Sequence, residues 1–158
     1  MKIITGETRL VGLLGQPVSH SISPIIHNAA FQEMGLNWCY LPIPCEAKNL
    51  EIAIKGLRAM GFRGLNITIP HKQNAANVCN KLRDVAKDLG AINTLKPYKE
   101  DGWEGHNTDV EGFLNPIIHN EWRNKNALLL GCGGSARAVF AGLQTLELNN
   151  ICIIGRNE

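Results

Sequence analysis

The chain has 158 residues, 44% hydrophobic and 19% charged, so it has enough apolar content for the core of about one domain. Sixteen basic against 14 acidic side chains leave a net charge of +2. That field is too weak to make nucleic acid or an anionic membrane the expected partner. No apolar run approaches the roughly 20 residues of a membrane-spanning helix. Glu7 and Arg9 interrupt the amino terminus before a signal-peptide core forms, so a cytoplasmic protein is expected. Cys39, Cys45, Cys79, Cys132 and Cys152 are dispersed, with no C-x-x-C pair, which predicts reduced thiols. The histidines are scattered likewise and predict no metal site.

In chain order, Arg9 to Leu14 is a short apolar run closed by Gly15 and Pro17, a strand and a turn. Ser23-Pro24 opens a helix, with serine as cap and proline at the first helical position. The helix runs to about Met34, and Gly35 stops it. Trp38, Tyr40, Leu41 and Ile43 predict a strand over 37–44, and Leu50, Ala53, Ile54 and Leu57 predict a helix over 46–60. Residues 64–70 alternate around β-branched side chains and form a strand stopped by Pro70. Helical segments follow at 71–79 and 82–89, then a strand near 91–96, a polar turn at 99–102 and a returning strand over 103–106. The alternation of strands and helices favours α/β packing with largely parallel strands.

A second pattern begins at Thr108, which has capping-box spacing to Glu111 ahead of Phe113, Leu114, Ile117 and Ile118. Pro116 is placed to kink or shorten that helix, and residues 121–126 read as a linker. Ala127 to Leu130 enters Gly131-Cys-Gly-Gly-Ser-Ala136, then a helix runs to about Leu146 and a strand over 151–154. Gly131-x-Gly133-x-x-Ala136 matches the dinucleotide fingerprint. Gly131 allows the tight turn, Gly133 the approach of a pyrophosphate, and Ala136 close helix–strand packing, with free N–H groups at the helix start. At the second strand's end an acidic residue would bind the ribose of NAD. Arg156 stands in that region instead and suits the 2′-phosphate of NADP, while nearby Glu158 keeps NAD open.

Three polar clusters have bland accounts when taken singly. Ser23 caps a helix, Lys72 is a solvated cation, and Asp109 is a first-turn carboxylate favoured by the helix dipole. Taken together, GQPVSHSISPIIHN (15–28), GLNITIPHK (64–72), GAINT (90–94) and GHNTDVEG (105–112) closely resemble the shikimate dehydrogenase family, in that order and at similar spacing. The GCGGSARA loop (131–138) resembles the same family's nucleotide site.

The resemblance implies an α/β fold: a three-layer substrate-binding domain with a mostly parallel sheet over 1–105, then a connecting helix and linker over 106–124. The beginning of a Rossmann-like NADP-binding domain would fill 125–158. It further implies reversible, NADPH-dependent reduction of 3-dehydroshikimate to shikimate, a step toward chorismate and the aromatic amino acids. Carried over by motif, Ser21, Ser23, Thr68, Lys72, Asn93 and Asp109 would surround the substrate, with Lys72 and Asp109 as the catalytic pair. Gly131, Cys132, Gly133, Gly134 and Ser135, with Ala136 and Arg137 opening the helix, would hold the pyrophosphate. Arg156 and Asn157 would lie near the adenosine phosphate, and Asp84 matches a position that approaches the cofactor in relatives.

Those residue types suit the chemistry. Hydride arriving at a ketone carbon leaves charge on oxygen, which needs a donor and a proton, and an ammonium supplies both. Asp109 beside Lys72 would favour the charged lysine. Serine, threonine and asparagine suit a polyhydroxylated ring, with the two serines expected at its carboxylate.

One βα unit and its second strand fall short of the βαβαβ of a mononucleotide-binding half. The chain is therefore expected to be a truncated form with weak shikimate binding or none and little activity, or a remnant associating through its apolar strand edge. A homodimer stays open. The competing readings are a quinate/shikimate dehydrogenase using NAD or either cofactor, and a non-catalytic shikimate-binding module. Methylenetetrahydrofolate dehydrogenase shares a lysine-based site but leaves the S-x-S-P and N-T-D motifs unexplained.

Overall fold

The computed structural model describes residues 3–155. Strand β1 (Arg9–Gly15) sends successive side chains to opposite faces, and a different helix covers each. On one face Leu13 packs with Val18 and Tyr40 against Phe31 of α1 (Ser23–Glu33). On the other, Leu14 joins Ile54 and Leu57 of α2 (Leu50–Ala59) in the larger core. The sheet is thus the middle of three layers. No residue of α1 is fully buried, and a polar clasp helps to hold it. Asn28 Nδ2 donates to the Tyr40 carbonyl (2.9 Å), its Oδ1 accepts from the Tyr40 N–H (2.8 Å), and His27 stacks on the phenol ring at 4.3 Å.

The remaining strands of this sheet are β2 (Trp38–Pro44), β3 (Leu65–Ile67), β4 (Lys81–Leu82), β5 (Thr94–Tyr98) and β6 (Gly102–His106). Their order is β2-β1-β3-β5-β6-β4. β2 and β3 run parallel to β1, and β4 runs parallel to β6. β5 is antiparallel to both its neighbours, and the short turn after Tyr98 accounts for its pairing with β6, since it can only return a strand beside itself. Trp103, 2% exposed, ties this hairpin to α2 by donating from Nε1 to the Ile54 carbonyl at 3.0 Å. Arg58 closes the turn, donating to the carbonyls of Lys99, Glu100 and Gly102.

α3 (Asp84–Leu89) precedes β5, and α4 (Asp109–Leu114) leads out of β6. A second, two-stranded parallel sheet follows, made of β7 (Asn126–Leu130) and β8 (Asn150–Ile154) joined through α5 (Gly134–Gln144). Gly142 lets α4 approach α5, since a Cβ there would lie 2.8 Å from Phe113 Cδ1. Among the described residues, no helix is long and apolar enough to cross a membrane.

The structure corrects several local expectations. Ile22, not Ser23, is the N-cap of α1, and Ser21 Oγ accepts from the Ser23 N–H instead (3.2 Å). The capping box at Thr108 does not form, because its hydroxyl is recruited by Asn93 and Asn107 Oδ1 meets the Asp109 N–H. The strand expected over 64–70 is confined to Leu65–Ile67. The helix expected over 71–79 is a short 3-10 turn, Asn74–Val78, that buries Ala75 and Ala76 in the α2 core. The segment after it becomes β4 because Asn80 is drawn to the sheet edge. Its N–H donates to the Trp103 carbonyl and its Oδ1 accepts from the Trp103 N–H. These are long-range pairings that local propensity does not encode.

Glu104 of β6 is 5% exposed and lies between Lys81 Nζ and Arg83 Nε, each 3.1 Å from Oε1, with His106 Nε2 3.3 Å from Oε2. The ammonium of Lys81 beside Oε1, with the charge of Arg83, holds this carboxyl below the usual carboxylate range against the opposing effect of burial. A carboxyl depressed in the folded state stabilises at neutral pH and loses that contribution as pH falls through its folded pKa. The stability advantage over Glu104→Gln is therefore expected to be full at neutral pH and to vanish on acidification below about pH 4. Urea unfolding of both chains across pH 3–7 checks this.

Candidate active site between the two sheets

Lys72 lies in the loop after β3, and that loop is anchored on both sides. The neighbouring His71 is wholly buried with Nε2 2.7 Å from the Cys45 carbonyl, so Nε2 carries the proton. The Lys72 carbonyl itself accepts from the Ile92 N–H at 2.8 Å. With its backbone pinned, the Lys72 side chain is 15% exposed and reaches Asp109 Oδ2 at 2.7 Å. Asp109, 28% exposed, opens α4.

Asn93 bridges the two loops. Its Nδ2 donates to Asp109 Oδ1 and to Thr108 Oγ1, both at 2.8 Å, and its Oδ1 accepts from the Thr108 N–H (3.0 Å) and the Thr94 hydroxyl (2.9 Å). Asn107 completes the frame, donating from Nδ2 to the Ala91 carbonyl at 3.0 Å.

The glycine loop faces this pair. Gly131 has φ +112°, a conformation that side chains rarely adopt, and it sets the turn out of β7. Gly133 is the N-cap of α5, so the N–H groups of the following turn have no acceptor within the helix. A Cβ on Gly134 would lie 3.0 Å from Lys72 Cβ, and Ser135 Oγ is 3.0 Å from Lys72 Nζ. Between the loops lies a cavity of about 510 Å³, lined by Thr68, Lys72 and Gln73 on one side and Gly131, Gly133 and Ala136 on the other.

Residues 13–95 match the family described as the shikimate dehydrogenase substrate binding domain. The chain belongs to this family. It is 47% identical over 156 residues to a shikimate dehydrogenase (NADP(+)) of Prochlorococcus marinus strain MIT 9515, covering 99% of this chain and 55% of that protein. A Listeria monocytogenes shikimate 5-dehydrogenase crystallised with shikimate and NAD superposes with a TM-score of 0.84 at 34% identity, covering 100% of this chain and 55% of that one. The Thermus thermophilus enzyme, crystallised with NADP(H) and shikimate, gives 0.83 at 32% identity over 94% and 56% of the two chains. The chain spans about half the length of the curated relatives it matches.

Of the positions that family resemblance singles out, Lys72, Asn93, Asp109 and Ser135 form one hydrogen-bonded cluster, and Thr68 lines the cavity beside them. Thr68 lies so close over Gly15 that a Cβ there would run into its methyl group. Ser21 and Ser23 are half-buried at the start of α1, outside the hydrogen bonds that Lys72 makes. Cys132 is exposed at the loop's tip.

Arg137 donates from its guanidinium to the Leu89 carbonyl (3.1 Å), tying α5 to the carboxyl end of α3. Asp84 is exposed at that helix's other end. Arg156 and Asn157 lie outside the described residues. Sequence reasoning passed over Tyr40, Asn66, Thr94, Asn107 and Thr108 as members of the network. All but Tyr40 lie within the quoted motifs, so the run of amides and hydroxyls there was the available signal.

Burial pushes the Cys79 thiol up to about 11 and raises that of Cys45, assisted there by the charge of Glu46. Cys132 and Cys152 are exposed. A thiol reagent at pH 8 is expected to label Cys132 and Cys152 rapidly in the native chain, while Cys45 and Cys79 react only on unfolding. Peptide mapping after timed labelling measures this.

Proposed function

We propose that the chain supplies the substrate pocket and the first part of the nucleotide site of an NADP-dependent shikimate dehydrogenase, interconverting 3-dehydroshikimate and shikimate. In this reading, residues 1–105 take the substrate, 106–124 connect, and 125–158 begin the nucleotide-binding unit. The observation that carries it is the Lys72–Asp109 pair, 2.7 Å apart, facing a glycine loop across one cavity. The names of the family's relatives support the same substrate and cofactor.

The loop fits a dinucleotide on its own geometry. The bare Cα atoms at Gly131 and Gly133 face open space that leaves room for a pyrophosphate, and the first-turn amides of α5 are donors without intrahelical acceptors. A bound nicotinamide would supply the hydride.

The chain's own residues handle the proton. Lys72 as ammonium donates to the ketone oxygen as charge develops there, and Asp109 balances its charge and fixes its position. In the oxidative direction the neutral amine takes the hydroxyl proton. Thr68 lines the cavity with a hydroxyl suited to a ring hydroxyl, Asn93 stands behind Asp109 with its amide committed there, and Ser21 and Ser23 are assigned to the carboxylate.

Calorimetry with shikimate tests the substrate reading on the 158-residue chain. Binding is expected in the wild type and at least tenfold weaker in Asp109→Ala, and no heat from the wild type would sink the assignment. For the cofactor, NADP is expected to protect Cys132 but not Cys152 from a thiol reagent. Equal labelling of both with and without NADP argues against the loop as the nucleotide site.

A further inference from the structure

Tyr40 is buried on β2, and its hydroxyl has no part in the chemistry proposed above. It nevertheless begins an unbroken run of hydrogen bonds that ends at Lys72. The phenol donates to Asn66 Oδ1 at 2.8 Å, reaching across β1 to β3. With Oδ1 so engaged, Asn66 Nδ2 faces Thr94 Oγ1 at 3.2 Å and the Asn93 carbonyl at 3.3 Å. Asn66 and Thr94 are direct cross-strand partners on β3 and β5, which sets them side by side.

Each step leaves the next group one choice. The Thr94 hydroxyl has accepted from Asn66 and has a single proton to give, which goes to Asn93 Oδ1 at 2.9 Å. The Thr108 N–H, able only to donate, meets the same oxygen. Asn93 Nδ2 is therefore turned toward Asp109 Oδ1, and Asp109 Oδ2 is left for Lys72. Burial pushes the Tyr40 phenol up to about 12, so it remains a donor across the physiological range.

We infer that Tyr40, Asn66 and Thr94 are positioning residues for the Lys72–Asp109 pair, acting through Asn93, whose amide they hold with its nitrogen toward Asp109. Its consequence for substrate rests on the function proposed above, but the geometry does not. A linked run of polar bonds is stiffer than its members singly, and this one spans the sheet from the α1 clasp to the site.

The test uses three variants of the 158-residue chain. Thr94→Val removes the hydroxyl at nearly constant volume, Thr94→Ser keeps it, and Tyr40→Phe removes the far end. The measurement is solvent exchange of the Asn93 side-chain amide protons by NMR, with backbone amide protection in β3 and β5 as the check on folding.

Exchange is expected to quicken about three- to tenfold in Thr94→Val, the scale of one neutral hydrogen bond, and to stay near wild type in Thr94→Ser. Tyr40→Phe should fall between. Shikimate affinity should weaken with the same ranking. Unchanged exchange in Thr94→Val, or a Thr94→Ser chain that behaves like Thr94→Val, overturns the inference. Should Thr94→Val lose backbone protection, Tyr40→Phe decides, because faster exchange there supports the relay and unchanged exchange refutes it. A wild type that takes no shikimate while the exchange ranking holds sinks the functional reading and leaves the positioning role standing.

Discussion

The contact between Lys72 and Asp109 is the interaction around which the site is arranged. The two residues are 37 positions apart, Lys72 in the loop after β3 and Asp109 at the start of α4. A partly buried ammonium and carboxylate gain from their pairing only if the geometry is held without strain and their remaining valences are met. The structure meets that condition on both sides. His71 and the Ile92 N–H pin the Lys72 backbone, while Asn93 and Asn107 hold Asp109.

That arrangement depends on the scaffold behind it. Asn93 lies just ahead of β5, so its position follows from the β5–β6 hairpin, which Trp103 and Arg58 fasten to α2. Asn66 lies on β3, between β1 and β5. The apolar core on the α2 face supplies the rigidity, and the polar line from Tyr40 to Thr94 runs over the opposite face. The two faces divide the labour: one carries the burial that stabilises the sheet, the other the directional bonds that orient the site.

The glycine loop brings the second sheet to the same point. Its contact with Lys72 through Gly134 and Ser135 places backbone donors and a cation at opposite walls of one cavity.

Much of this was legible in the sequence for identifiable reasons. β1, β2, α2 and the hairpin follow from periodicity and turn residues, which act locally, and Gly131 was marked by its need for an unusual φ. The ordered polar motifs disclosed the family because four of them at fixed spacing are hard to obtain otherwise. Among the features that escaped local reading are the capping box at Thr108, the helix expected over 71–79, and the edge strand at Lys81–Leu82. In each, a distant partner overrode the local preference: Asn93 took the Thr108 hydroxyl, α2 took Ala75 and Ala76, and Trp103 drew Asn80 to the sheet edge. The sequence by itself determined which chemical groups are present and which segments could carry them. Only the tertiary structure decided which groups meet, because the direction of a hydrogen bond and the partner of a charge are set by neighbours far along the chain.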